Sequence, residues 1–172
     1  DLLKQILDII FEALPAARRG YVITFSDDIN EAKVRASNLR DDEPTTLPLS
    51  TTLIDYVFTE KNAILTRDAQ EDSRFQGAQS IIGHAIHAAM CAPLRGRQAV
   101  VGAIYVDSGS RPSNFTESDL QLLTVLAQVV GVAVENARLY QASLEQERLV
   151  AIGQATAGIG HCVKNILTGL LG

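Results

Sequence analysis

One apolar run determines the predicted architecture of the sheet: Val100-Val101-Gly102-Ala103-Ile104-Tyr105-Val106. A strand points its side chains alternately to two faces of a sheet, and in this run both alternating sets are apolar. The sheet should therefore be covered on both faces. The run lies in a predicted strand at 99–107, and a second predicted strand covers 88–94. The polar residues 95–98 form the turn of a hairpin between them.

Outside this hairpin, apolar spacing and turn residues predict the other elements. Residues 2–14 carry apolar residues at helical spacing and predict a helix that Pro15 and Gly20 end. The remaining predicted elements are strands at 21–25, 32–39 and 63–66, helices at 50–60 and 79–83, a turn at 26–31, a loop at 40–48 and an irregular segment at 67–78. One face of the sheet should be covered by helices. The other should be covered by residues 51–83, which could enclose a pocket.

The longest predicted helix starts near Thr116. Thr116 and Asp119 fit a capping box, and Phe115 and Leu120 fit a hydrophobic staple. No proline follows Pro112, so nothing in the sequence obliges this helix to end before residue 172. The pattern predicts an α+β fold with an antiparallel sheet, flanking helices and a long C-terminal signalling helix.

Composition limits the classes of partner. The 172 residues suffice for one domain with a core plus an appendage. The 15 basic and 20 acidic residues give a net charge of −5, which disfavours nucleic acid as a partner. The longest apolar run, 129–134, is far shorter than the roughly 20 residues of a membrane span, so we expect no membrane segment. The two cysteines form no motif, which favours a reducing, cytoplasmic setting. The chain lacks an initiator methionine, so it should be an internal piece of a longer protein.

The order of elements resembles the GAF domain, a family of small-molecule sensors. Three stretches carry the resemblance: 63–75, the hairpin 90–94 with 101–107, and 115–123. It covers roughly residues 1–140 and implies a sensor domain there. Residues 141–172 would then form a helical linker and a truncated phosphoacceptor helix.

The GAF resemblance leaves the ligand open, because the family binds cyclic nucleotides, tetrapyrroles, haem, small metabolites or nothing. The cyclic-nucleotide signature Asn-Lys-Phe-Asp-Glu cannot be assembled from this sequence. Cys91 is interpreted as a small core residue. His84 and His87 could suit a metal by their spacing, but no third ligand is near them. No metal or cofactor is therefore assigned. Family geometry implies these residues as walls of a pocket: Ser37, Arg74, Phe75, Ile82 and His84.

His161-Cys162-Val163-Lys164-Asn165 resembles the phosphoacceptor box of sensor histidine kinases, the HisKA-like pattern His-acid-apolar-basic-Asn. The resemblance implies that His161 accepts phosphate and that Lys164 and Asn165 steer the nucleotide phosphate or the kinase domain. The family's acid would orient the imidazole and take its proton. Cys162 replaces that acid, so competence of His161 is conditional. The alternative is that His161 is a solvated surface histidine.

Two apolar seams of heptad spacing run along the long helix. The second seam places His161 at position f, facing outward. The first seam is Leu123, Leu126, Val130, Ala133, Ala137, Tyr140 and Leu144, and the second is Leu149, Ile152, Thr156, Ile159, Val163, Ile166 and Leu170. Their phases break at 145–148. This break is either a bistable junction, or a boundary between a seam on the sheet and a seam on a partner. Glycines such as Gly153 weaken the helix, so residues beyond about 150 should depend on dimer contacts or fray.

These features predict the sensor part of a two-component histidine kinase that forms a homodimer through the C-terminal helix, parallel or antiparallel. The fragment should not be an enzyme by itself, because ATP would bind a separate kinase catalytic domain that then serves a response regulator. The alternative is a metabolite- or cyclic-nucleotide-binding module whose helix only dimerises. A redox enzyme that uses Cys91 is the third possibility.

Overall fold

The computed structural model describes residues 2–25, 32–40, 51–67, 87–109 and 114–171, and it describes side chains up to Gln154 together with Thr156. The helices are α1 (Leu2–Ala13), α2 (Thr51–Glu60) and α3 (Glu117–Leu171). The strands are β1 (Arg19–Thr24), β2 (Lys33–Leu39), β3 (Ile64–Thr66), β4 (Ala89–Arg95) and β5 (Val100–Asp107). The helix predicted at 79–83 lies outside the described residues.

The strands form one antiparallel sheet in the order β2-β1-β5-β4-β3. The predicted hairpin β4–β5 is present, and β1 pairs with β2, the two strands predicted on either side of the turn at 26–31. The doubly apolar strand β5 lies at the centre, where both of its faces can be covered. The predicted α+β class, with a long C-terminal helix, is confirmed.

Helices cover both faces of the sheet, as the apolar residues on both faces of β5 predicted. On one face, α1 and α3 pack against the sheet through buried residues such as Leu7, Leu123 and Val130. On the other face, which we call the α2 face, Leu53 and Val57 pack over the side chains of β1, β5 and β4. Consecutive residues of β5 divide between the two clusters, as the strand alternation requires.

The start of α3 has the predicted capping box. The Asp119 amide donates to Thr116 Oγ1 at 3.2 Å, and the Thr116 amide donates to Asp119 Oδ2 at 2.7 Å. Phe115 is buried, and Leu120 packs against the same core cluster. These contacts satisfy donors at the helix end and fix the point where the chain enters α3.

The first heptad seam of α3 faces its own sheet. Leu123 and Val130 are fully buried in the core, and Leu126 packs against them. The interpretation in which this seam packs on the sheet is therefore confirmed for these residues. Leu123 and Val130 are therefore not available to a partner chain, and the bistable junction at 145–148 stays a prediction.

The chain divides into two compact units, residues 1–135 and residues 136–172. The second unit is helical through Leu171. Its large apolar side chains that the structure describes are exposed: Leu139, Tyr140, Leu144, Leu149, Val150 and Ile152. The dependence of residues beyond about 150 on a partner concerns stability and stays a prediction.

Within 117–154, α3 contains a window that is long and apolar enough to cross a membrane by length and composition. Three apolar residues of α3 in the range 117–154 pack in the core of the first unit: Leu123, Ala127 and Val130. The expectation of no membrane segment came from uninterrupted apolar runs alone, and it stays a prediction.

Candidate functional site

A buried ion pair lies on the α2 face at one end of the two central strands. Arg19 begins β1 and Asp107 ends β5, and the antiparallel register places them opposite each other. Arg19 Nε donates to Asp107 Oδ1 at 2.6 Å, and the two side chains are 2% and 3% exposed. Asp107 Oδ1 also accepts a hydrogen bond from the Gly109 amide at 2.7 Å. The site therefore holds two opposite charges that water does not reach.

Asp107 keeps the guanidinium of Arg19 charged. Burial disfavours the charged form and by itself lowers the pKa of Arg19, but the hydrogen bond and the negative charge of Asp107 outweigh burial and raise it. A buried charge of this kind is tolerated only when it is paired and hydrogen-bonded.

Two tyrosines form the next row of the α2 face. Tyr21 and Tyr105 are register partners on β1 and β5, and their ring centroids lie 6.2 Å apart. Tyr105 is fully buried, and its hydroxyl has no hydrogen-bond partner among the described residues. Burial, and then the charge of Asp107, raises the pKa of Tyr105 well above its ordinary value. The phenol is therefore a neutral donor at physiological pH.

Thr66 supplies a second buried hydroxyl on the same face. The register joins Thr66 to Ala89 and Ala89 to Asp107, so the three residues form one row across the sheet. Thr66 Oγ1 is buried and, within the described part of the chain, has no hydrogen-bond partner. Buried polar groups nearly always have a hydrogen-bond partner, either protein or ordered water. Two unpartnered hydroxyls beside an ion pair make this face the candidate binding surface.

Only one residue that the resemblance implied for the pocket lies in the described structure. Ser37 is exposed on the edge strand β2 and pairs with Tyr21, which places both side chains on the same face. The other implied residues lie outside the described residues: Arg74, Phe75, Ile82 and His84. The helix α3 includes His161, Cys162, Lys164 and Asn165, whose side chains the structure does not describe.

Sequence reasoning missed Arg19, Tyr105, Asp107 and Thr66. A signal was present for Asp107, because it directly follows an apolar run that is buried on both faces. A carboxylate in that position needs a buried partner of opposite charge. Arg19, the charged residue that begins another buried strand, is the partner that this reasoning would have sought.

Cys91 is a core residue, as its sequence context predicted. It lies between Ile64 and Tyr105 in the sheet register and is fully buried. Burial raises the pKa of the Cys91 thiol, so the thiol stays protonated and is a poor nucleophile. This environment does not favour the redox chemistry considered for Cys91.

A model of the GAF domain family matches residues 1–134. The chain belongs to the GAF domain family. The match covers α1, the whole sheet and the part of α3 that packs on it, so the predicted sensor fold is confirmed. It ends before residues 149–165, and the comparisons give no support for the phosphoacceptor resemblance there. No curated protein matches the sequence significantly.

Several solved structures share the GAF fold. A GAF domain from Synechocystis in its photoproduct state has a TM-score of 0.67 at 18% identity and covers 82% of this chain and 96% of its own. A domain described as part of a two-component sensor histidine kinase from Sinorhizobium meliloti has a TM-score of 0.58 at 19% identity and covers 83% and 94%. A free methionine-R-sulfoxide reductase from Thermoplasma acidophilum has a TM-score of 0.58 at 12% identity and covers 76% and 87%. At these identities the likeness establishes the fold alone.

Proposed function

We propose that this GAF domain is the sensor module of a two-component histidine kinase. It senses a small molecule on the α2 face and acts through α3 on a phosphoacceptor segment around His161. The observation that carries the proposal is the length of α3, a single helix of 55 residues. The same helix contributes Leu123 and Val130 to the sensor core and contains the box at 161–165.

Two further observations support this function over a module that only binds a ligand and dimerises. The residues His161, Lys164 and Asn165 stand at the positions of the box that carry its chemistry. A neutral imidazole at an outward position is reachable by a separate ATP-binding domain and can attack phosphorus as a nucleophile. The chain also shares its fold with a domain of a Sinorhizobium meliloti protein described as a two-component sensor histidine kinase.

Phosphate transfer to His161 tests the proposal. When an ATP-binding catalytic domain of a histidine kinase and labelled ATP are supplied, we expect acid-labile label on this chain and complete loss of label in His161→Ala. Cys162→Asp should raise the labelling rate at least about tenfold, because a carboxylate orients the imidazole and takes its proton.

His87→Ala is the matched control, because His87 precedes β4 and lies far along the sequence from the box. This variant should be labelled like the parent chain. Equal labelling of the His161→Ala variant, or no labelling even of the Cys162→Asp variant, would favour the alternative module, which binds a metabolite or cyclic nucleotide and only dimerises.

We also propose that the module works as a parallel homodimer through a face of α3 that lies beside the predicted first seam. That face presents four apolar side chains at steps of 3, 4 and 3 residues, with exposed fractions between 37% and 62%: Leu122, Val125, Val129 and Val132. This spacing suits a helix that packs along a second helix. A parallel arrangement places each residue opposite its own copy and brings both phosphoacceptor segments to the same end.

Neighbouring cysteine substitutions distinguish this face from the predicted seam. In a Cys162→Ser background, Val129→Cys should form an intermolecular disulfide in most chains under mild oxidation, because Val129 is exposed. Val130→Cys should form almost none, because Val130 is fully buried in its own core. Non-reducing electrophoresis measures both. Equal crosslinking at the two positions, or none at Val129, would rule out the proposed face.

A further inference from the structure

The end of β4 and the turn that follows it, residues 95–99, together contact two helices that cover opposite faces of the sheet; we call this segment the β4–β5 turn. Its first residue, Arg95, extends towards the end of α2. Its backbone lies against α3 near Gly131. The β4–β5 register shifts between Leu94 and Arg95, which turns the chain out of the regular ladder where these contacts begin.

On the α2 side, Arg95 holds the C-terminal end of the helix. Its guanidinium donates to the carbonyl oxygen of Lys61 and, at 3.4 Å, to Asn62 Oδ1. Lys61 has a φ of 56° and donates its amide to Val57 O at 3.0 Å, so it closes α2 with a left-handed residue. A cation that bonds the last carbonyl groups is favourable at this end of a helix.

On the α3 side, the same turn is fixed by Gly131 and Glu135. A Cβ atom at Gly131 would lie 2.4 Å from the carbonyl oxygen and 2.5 Å from the amide nitrogen of Arg95, so only glycine permits this approach. The Glu135 carboxylate accepts hydrogen bonds from the Arg97 amide at 2.6 Å and the Gln98 amide at 3.4 Å. The turn therefore binds α3 through both packing and hydrogen bonds.

We propose that the β4–β5 turn is the element that couples α2 to α3. Arg95 takes part in both contacts, with its side chain on α2 and its backbone on α3. A displacement of α2 must either move the turn or break the hydrogen bonds that Arg95 donates to Lys61 and Asn62. If the turn moves, the hydrogen bonds between the turn and Glu135 of α3 must move or break as well. The coupling is carried by contiguous contacts at the end of the sheet, and it does not need to cross the core.

A signal would pass from α2 to α3, because α2 packs over the candidate binding face through Leu53 and Val57. This direction rests on the proposed function. The physical link does not rest on it. Hydrogen exchange of the purified chain without any ligand reports the link directly. An unlabelled His161 would overturn the proposed kinase role and leave the exchange results intact.

Hydrogen exchange with mass spectrometry should show coupling in both directions. Arg95→Gln should speed exchange at the end of α2 and also at residues 131–135 of α3, each about threefold, the effect of losing one net hydrogen bond. Glu135→Ala should do the same at both places, because its carboxylate accepts hydrogen bonds from the turn that Arg95 begins. Arg97→Gln is the matched control, because the turn uses the backbone amide of Arg97 for Glu135, and both helices should then exchange as in the parent chain.

Two results would overturn the coupling. One is a change confined to the helix that the substituted side chain contacts, with the other helix unaffected. The other is an equal rise at β1, for example at Val22, because that pattern reports general destabilisation of the sheet. Faster exchange at both helices, with an unchanged exchange rate at β1, would establish that the turn links α2 to α3.

Discussion

Replacing Arg19 by methionine is expected to lower the free energy of unfolding of the first unit by about 3–5 kcal/mol. The substitution keeps an unbranched side chain of similar reach and removes the charge. It leaves the Asp107 carboxylate almost fully buried without its cation, and an unpaired buried charge is far more costly than a lost surface contact. Urea unfolding followed by tyrosine fluorescence measures the loss, since Tyr21 and Tyr105 lie in the same sheet.

Arg67→Met is the matched control. Arg67 Nη2 lies 3.9 Å from Glu117 Oε1, and the two side chains are 65% and 71% exposed. Exposed pairs of this kind contribute about 0–1 kcal/mol, so the variant should unfold nearly as the parent chain does. The double variant Arg19→Met with Asp107→Leu should recover most of the loss, because it removes both buried charges. A loss from Arg19→Met no larger than that from Arg67→Met would contradict this account of the ion pair.

The parts of the fold that the sequence predicted are those that local patterns determine. The doubly apolar run 100–106 indicated a strand buried on both faces, and Thr116 with Asp119 indicated the start of α3. The pairing of β1 with β5 joins strands far apart in the chain, and side-chain periodicity contains no information about it. For the same reason, the sequence did not determine which line of apolar residues on α3 packs against the sheet. Lines of apolar residues through Leu122 and through Leu123 have the same spacing, and only packing on the sheet decides which line is buried.

The candidate site was less accessible to sequence reasoning than the fold. Arg19 and Asp107 are 88 residues apart, so no motif or spacing joins them before the strand register is known. Tyr105 shares a face with Asp107 because the two residues are two apart on β5. Thr66 joins that row only through β4, which lies between β3 and β5. The resemblance instead pointed to positions such as Ser37, which lies at the edge of the same face. Sequence could have required a partner for Asp107, but only the register identifies it as Arg19.

Gly131→Ala is expected to lower the free energy of unfolding of the first unit by about 2 kcal/mol, within the range for overpacked sites. The three atoms nearest to the added Cβ would all be backbone atoms of Arg95, at 2.4 to 2.6 Å. Backbone in a paired strand cannot rotate away as a side chain can, so α3 and the β4–β5 turn must separate. Urea unfolding measures the loss. The intrinsic preference of alanine for a helix, about 1 kcal/mol over glycine, opposes the clash and is smaller than it.

Gly153→Ala in the same helix separates the clash from the helix preference. No atom lies within 4 Å of a Cβ at Gly153, so alanine gains the helix preference without a steric cost. This variant should increase the helix signal in circular dichroism and leave the unfolding of the first unit unchanged. If both variants stabilised the protein, Gly131 would not approach Arg95 closely. The hydrogen bonds of Glu135 would then be the remaining described interaction between the turn and α3. Opposite signs would show that packing of α3 against the turn, and not the general weakness of glycine in helices, explains the residue at 131.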